Sequence, residues 1–285
     1  MYKKLKSVTI LCLLFCVFCL ITICTACNKN DDPNTYIYPS KRVLSIYECK
    51  HEYGAVIKVN PSFTFAKTTK PNKIDIISYD AQHIGGTPCH SVYPDICRIT
   101  YTKSGNYYIC CIILDIESQK IGHDFGDEKF IITDITFDVD GETLVSDEKI
   151  YFTVFENDPS IYATGTGSAI SDKLDFAVTG LTPLSDIVIE KVYFSSEAIE
   201  LEYGIQNTER ISIEEMFSQV PATLTYGEDF VFGFCAKLKE EVDEGCGYFI
   251  AEYRLKDSDQ TIRSPFGFLS LLKDRTVWDN SFAKK

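Results

Sequence analysis

Apolar and polar side chains alternate with a period of two through most of this chain beyond residue 40, which predicts strands almost throughout. Within Ile131–Asp140, Ile131, Ile135, Phe137 and Val139 fall on one side and Asp134, Thr136, Asp138 and Asp140 on the other. That is the pattern of a strand with one buried and one wet face. Phe230, Phe232, Phe234, Ala236 and Leu238 repeat it, as do Phe249, Ala251, Tyr253 and Leu255 against Glu252 and Arg254. These last two runs are expected to form a hairpin around the acidic loop Lys239–Gly245. Further strands are expected over Val43–Glu48, Ala55–Val59, Ile74–Tyr79, Ile96–Tyr101, Asn106–Leu114, Lys149–Phe155, Leu174–Val178, Asp186–Phe194 and Ile199–Tyr203. Helical spacing is scarce. Ile211–Gln219 fits a short helix, with Ser212 as cap and Glu215 three residues on. Ser270–Trp278 reads as either a helix or a terminal strand.

The longest stretch without strand character is Asn157–Asp172, rich in Ser, Thr and Gly and interrupted by Pro159. With 158–172 as a linker, about seven strands fall on each side, the number an immunoglobulin-like sandwich uses. The expectation is therefore an all-β chain of two immunoglobulin-like β-sandwich domains in tandem, 41–157 and 173–285. A competing break lies at Ser118–Glu128, where Gly122, Gly126 and charges cluster. The segments beginning near Ile132 and Val188 share a rough apolar pattern, a hint of duplication.

The first 26 residues have a different character. Lys3, Lys4 and Lys6 precede an apolar run from Val8 to Ile23, after which Cys24-Thr25-Ala26-Cys27 leads into polar sequence. At 16 residues the run is shorter than the roughly 20 a spanning helix needs. A basic start, an apolar stretch and small residues at its end are the parts of an export signal. The segment resembles the bacterial lipoprotein signal, with Cys24 where that pattern usually has Leu. The resemblance implies cleavage after residue 26 and lipidation of Cys27. Residues 27–40 would then be the lipidated N-terminus and a flexible tether. Asn28-Lys29-Asn30-Asp31-Asp32-Pro33 is similar to the acidic tether that directs some outer-membrane lipoproteins to the cell surface. The implied location is the cell envelope, on a bacterial outer membrane, with a membrane partner engaged through the N-terminal lipid.

Charge narrows the partners. The formal net charge is −13, and removing residues 1–26 takes away three lysines and no acids, leaving 25 basic against 41 acidic residues. Such a surface repels polyanions, which excludes nucleic acid and disfavours anionic lipid. Of the aromatic residues, 17 are Tyr, 19 are Phe and one is Trp, and most sit among Val and Ile in short runs, which again suits strands.

Seven of the twelve cysteines lie beyond Cys27. Export permits disulfides, and two local pairs are candidates, Cys89 with Cys97 and Cys235 with Cys246; buried free thiols are the alternative. Cys110 and Cys111 are neighbours in a strand and should face opposite ways.

No constellation carries catalysis. His83, Cys89, His90 and Cys97 lie close together but match no zinc spacing, so no metal site is expected. Asp138, Asp140, Gly141, Glu142 and Asp147 superficially suit calcium, but Asp140-Gly141 between alternating strands reads more simply as a hairpin turn. His123–Glu128 reads as a charged loop. His51-Glu52 lacks the second histidine of a zinc helix, and there is no nucleophile elbow or phosphate-cradling glycine loop. A non-enzyme without cofactor is expected. Tyr36, Tyr38, Tyr107, Tyr108, Tyr151, Tyr162 and Tyr193 could offer rings for sugar stacking, although core packing accounts for most such residues. The first functional expectation is a binding module for a glycan or nutrient at the cell surface. The alternative is a structural or adhesive protein that contacts another protein through sheet edges or loops.

Overall fold

The computed structural model describes residues 35–38, 41–50, 56–58, 60–90, 92–118, 129–156, 160–164, 167–169 and 171–273. The strands of the first half are β1 (Thr35–Tyr38), β2 (Arg42–Lys50), β3 (Val56–Lys58), β4 (Ser62–Lys67), β5 (Ile74–His83), β6 (Val92–Ser104), β7 (Tyr107–Ser118), β8 (Lys129–Val139), β9 (Glu142–Val145) and β10 (Glu148–Glu156). Those of the second half are β11 (Ile161–Thr164), β12 (Gly167–Ala169), β13 (Lys173–Pro183), β14 (Ile187–Ser195), β15 (Ile199–Gln206), β16 (Glu209–Ile211), β17 (Ala222–Leu224), β18 (Phe230–Leu238), β19 (Glu244–Leu255) and β20 (Ile262–Leu272). One short helix, α1 (Ile213–Phe217), begins at Ser212, whose Oγ accepts from the Glu215 amide at 3.0 Å. The cap expected from the sequence is the one observed, and Met216 is the buried residue of that helix.

Three sheets enclose two apolar cores. In the first, β1-β4-β7-β6 faces the β2-β10-β8-β5 end of the middle sheet. In the second, β11-β13-β18-β15-β16 faces β12-β20-β19 and β14. Each half has the same arrangement, the immunoglobulin order of strands A, B, E and D on one sheet and G, F and C on the other. In both halves a split first strand runs parallel to the last, β2 beside β10 and β12 beside β20. The all-β immunoglobulin-like fold expected from the pattern is therefore present. The suggested duplication does not follow it. Ile132 lies on β8, third in its row, whereas Val188 lies on β14, which takes the fourth place in the other half.

Phe63 and Phe65 of β4 and Cys110, Ile112 and Leu114 of β7 fill the first core against Ile150, Phe152, Phe130 and Phe137, with the Phe63 and Phe137 rings stacked at 4.7 Å. Phe230, Phe232 and Phe234 fill the second against Phe249, Phe266 and Leu269. Cys110 is buried and Cys111 half-buried, as alternation requires.

Two local readings change. Phe130 and Ile132, not Ile131, join Ile135, Phe137 and Val139 in the core. Asp134 adopts φ 54°, and the register of β8 against β5 shifts there, so the inward phase changes by one residue. The expected β18–β19 hairpin is also replaced. The two strands belong to different sheets, and residues 239–243 cross from one layer to the other. Asp140-Gly141 does form the hairpin turn, with φ 52° and 86°, joining β8 to β9. Its acids are occupied: Asp140 accepts from the amides of Asn72 and Lys73, and Asp138 from that of Gly141.

The two cores are joined by continuous sheet, and the described residues from Ile37 onward form one compact unit. The stretch 158–172 contains β11 and β12. β2 pairs in parallel with β19 through Arg42–Glu244, Val43–Gly245 and Leu44–Cys246. Leu44 enters the first core while Val43 packs against the second, so successive residues of one strand serve different cores. Gly245 is required here, because a Cβ would lie 2.4 Å from Ala198 Cβ and 2.9 Å from Leu238 Cδ2. A third cluster of Phe155, Tyr248 and Ile250, with Tyr47, Tyr193 and Phe268 against it, packs beside this joint.

Candidate functional site

The residues singled out in the sequence do not converge. Cys27, the signal segment, nearly all of the tether, His51, His123 and Trp278 lie outside the described residues. Neither expected disulfide, Cys89 with Cys97 or Cys235 with Cys246, is formed. The topology gives the reason for the second pair. Cys235 lies on the five-stranded sheet and donates to the Asp175 carbonyl at 2.5 Å, while Cys246 lies on the middle sheet and donates to the Ser45 carbonyl at 3.3 Å. In the first pair Cys89 is buried, whereas Cys97 sits exposed at a register shift in β6, the edge strand of its sheet.

Among the described residues there is no cluster of three or more His, Cys, Asp and Glu able to hold a metal ion. The ring of His83 packs 5.0 Å from that of Phe130, and His90 is exposed. Among those residues, too, no helix is long and apolar enough to cross a membrane. The tyrosines do not form one platform. Tyr107 is buried, Tyr108 packs against the first core, Tyr193 against the third cluster, and only Tyr162 of those described stands well out. Tyr151 is half-buried on β10.

What the chain exposes instead is an apolar band on the outer face of the five-stranded sheet. Phe176, Val178 and Val231 are 56, 43 and 47% exposed, large values for aromatic and β-branched side chains on adjacent strands. The backbone brings them together. Val178 on β13 and Ile205 on β15 both pair with Gly233 of β18, making one row across three strands. The Phe176 ring lies over that glycine, where a Cβ would come within 2.9 Å of Cε2 and 3.3 Å of Ile205 Cβ. Tyr162 extends the band onto β11. The inward phase of the same strands is Ala177 and Leu181 on β13 and Phe230, Phe232 and Phe234 on β18, all against the second core. These strands are thus apolar on both faces.

Charges sit at both ends of the band. At one end Lys173 and Lys237 lie 3.2 and 3.6 Å from Glu202, and Lys237 lies 4.0 Å from Glu200. The Lys173 hydrogen bond holds the Glu202 carboxyl below its ordinary range. Beside them Arg210 covers the Tyr203 ring at 4.3 Å, and Tyr203, hydrogen-bonded to Cys235, titrates above the usual phenol value. At the other end Thr182 Oγ1 donates to Asp229 Oδ1 at 2.5 Å. A flat apolar strip with charged ends has the anatomy of a protein contact: a desolvated centre and a polar rim. Sequence reading missed it because Phe230, Phe232 and Phe234 dominate β18. The signal was Val231 in the polar phase, together with Phe176 and Val178 in the phase opposite Ala177.

No protein-family model matches the chain, and no curated protein matches it. Solved structures similar to it include the C-terminal domain of the Streptococcus agalactiae AgI/II polypeptide BspA, at 9% identity over 80% of this chain and 99% of that one, with a TM-score of 0.20. The Enterococcus faecalis MSCRAMM ACE shares 10% identity over 84% of this chain and 94% of its own, with a TM-score of 0.23. A putative membrane-anchored protein from Corynebacterium diphtheriae shares 10% over 84% and 59%, with a TM-score of 0.25. Likenesses this distant carry no weight for function, and the immunoglobulin-like arrangement rests on the strand order itself.

Proposed function

We propose that this chain is a protein-binding, adhesive module of the cell envelope and that the outer face of β13, β18 and β15 is its recognition surface. One observation carries the reading: Phe176, Val178 and Val231 form an exposed apolar strip across adjacent strands of one sheet, bounded by ion pairs at one end and by the Thr182–Asp229 hydrogen bond at the other. Monomeric proteins seldom leave such a strip uncovered, and protein partners bury surfaces of this composition. Lipidation at Cys27 and a tether through residue 40 would complete the design by holding the module to a membrane. Glycan binding draws less support, because the described tyrosines are spread over separate sheets and cores.

The test is retention of cells displaying the chain on surfaces coated with candidate protein partners, comparing wild type with Val231→Lys at equal display. Retention at least tenfold lower in the variant supports the proposed surface. Equal retention excludes the strip as the contact.

A further inference from the structure

We propose that the occupant of this face is a second copy of the chain, packed face to face about a two-fold axis that lies in the interface and runs perpendicular to the strands. The inference rests on the recognition surface just described and names its partner.

Charge argues for self-association here. The chain as a whole carries −13, so most approaches between copies are repulsive. On this face Lys173, Lys237 and Arg210 stand beside Asp175, Glu200 and Glu202 at one end, with Asp229 at the other, a near balance. Two copies can meet here with the least repulsion.

The order of residues sets the axis. The outward phase of β18 holds Asp229, Val231, Gly233, Cys235 and Lys237, of which Asp229, Val231 and Lys237 are exposed and Gly233 and Cys235 are buried beneath neighbouring side chains. Face-to-face packing by a two-fold axis leaves two limiting choices. An axis along the strands would set Lys237 against Lys237 and Asp229 against Asp229. An axis across them at the level of Gly233 sets Asp229 of one copy against Lys237 of the other, and Val178, which pairs with Gly233, against its own counterpart. Only the second arrangement brings unlike charges together at both ends while the apolar strip closes on itself, as an isologous contact requires.

Area sets the strength. Strands of 11, 9 and 8 residues with two short edge strands make up the sheet. At about 3.3 Å per residue and about 4.8 Å between strands, they present roughly 550 Å² per copy. A total of about 1,100 Å² falls among weak, reversible associations rather than permanent dimers. Such a contact would form where copies are crowded.

Sedimentation velocity on the full chain in mild detergent, over a concentration series at low and moderate salt, tests this. A reversible monomer–dimer equilibrium is expected. Val231→Lys should abolish it, with an unchanged far-UV spectrum and melting temperature confirming the fold. Asp229→Lys and Lys237→Asp should each weaken the dimer about fivefold or more, and the double exchange should restore it. A dimer that persists in Val231→Lys uses another surface and overturns the proposal. Single and double exchanges that all match wild type overturn the proposed axis. Monomer at every concentration up to about 200 µM rules out self-pairing at the strength this area implies. In that event, loss of protein-coated-surface retention by Val231→Lys would still uphold the recognition face, so the two readings fail separately.

Discussion

Arg42 Nε donates to Glu244 Oε2 at 2.8 Å, while Nη1 of the same guanidinium donates to Glu148. One cation on β2 thus ties the last strand of the first core to the start of β19, at the point where the two halves share a sheet. Burial opposes the charge on Arg42, yet the two carboxylates together hold its titration above the ordinary guanidinium value. Burial pushes the Glu148 carboxyl upward, against the pull of Arg42.

Removing that cation leaves Glu148 buried without its counterion. Arg42→Met is expected to lower stability by about 3–5 kcal/mol. The pair Arg42→Met with Glu148→Leu should recover most of the loss, because it removes the orphaned charge as well. Urea unfolding of the three proteins measures both. Equal stability of the single and double variants would show that the ion network contributes nothing specific.

The thiols of Cys110 and Cys246 and the phenol of Tyr248 are pushed up to about 12, in each case by burial first. A group whose folded value is raised stabilises the protein below its unfolded value and loses that contribution as pH climbs through the folded one. Stability should therefore fall between about pH 9 and 12 for the thiols and from about pH 10 for Tyr248, by at most roughly 1.4 kcal/mol per pH unit for the fully buried Cys246. Cys246→Ala should flatten this slope. Native alkylation at neutral pH should modify Cys97, which is exposed, and spare Cys110 and Cys246 until the protein unfolds.

Gly245→Ala places a methyl 2.4 Å from Ala198 Cβ at the parallel β2–β19 joint. Overpacking of this kind costs about 1–3 kcal/mol. Thermal melting against Gly105→Ala serves as the comparison. Gly105 has open space around it but φ 57°, so its cost is backbone strain alone.

Val231→Lys and Val178→Lys should leave stability within about 0.5 kcal/mol, since these side chains support neither core. A loss several times larger on chemical denaturation would mark them as structural rather than as part of a contact.

Much of the fold was legible because period-two alternation reports burial directly. Phe137 and Val139 point inward as their phase demands, and Ser212 caps the helix that its spacing with Glu215 announced. The failures have particular causes. Asp134 inserts a positive φ that no hydrophobicity pattern reveals, and it exchanges the roles of Ile131 and Ile132. β4 is hard to read although Phe63 and Phe65 carry the correct period, because the strand that follows Pro61 is only six residues long. The β18–β19 crossing resembles a hairpin in the sequence because sequence separation does not distinguish pairing within a sheet from passage between two. The joint at Arg42 was out of reach: its carboxylates lie 106 and 202 residues away. The outer strip of the five-stranded sheet left a faint trace, apolar residues in both phases of β13 and β18, that only three-dimensional placement turns into a surface.

Site-specific photo-cross-linking on living cells tests the recognition face most directly, with a benzophenone side chain at Val231 and, as control, at Val145, which is equally exposed on β9. A discrete cross-linked species from position 231 and none from 145 is the expected result. Equal labelling from both positions, or none from 231 while the protein is displayed and folded, would contradict it.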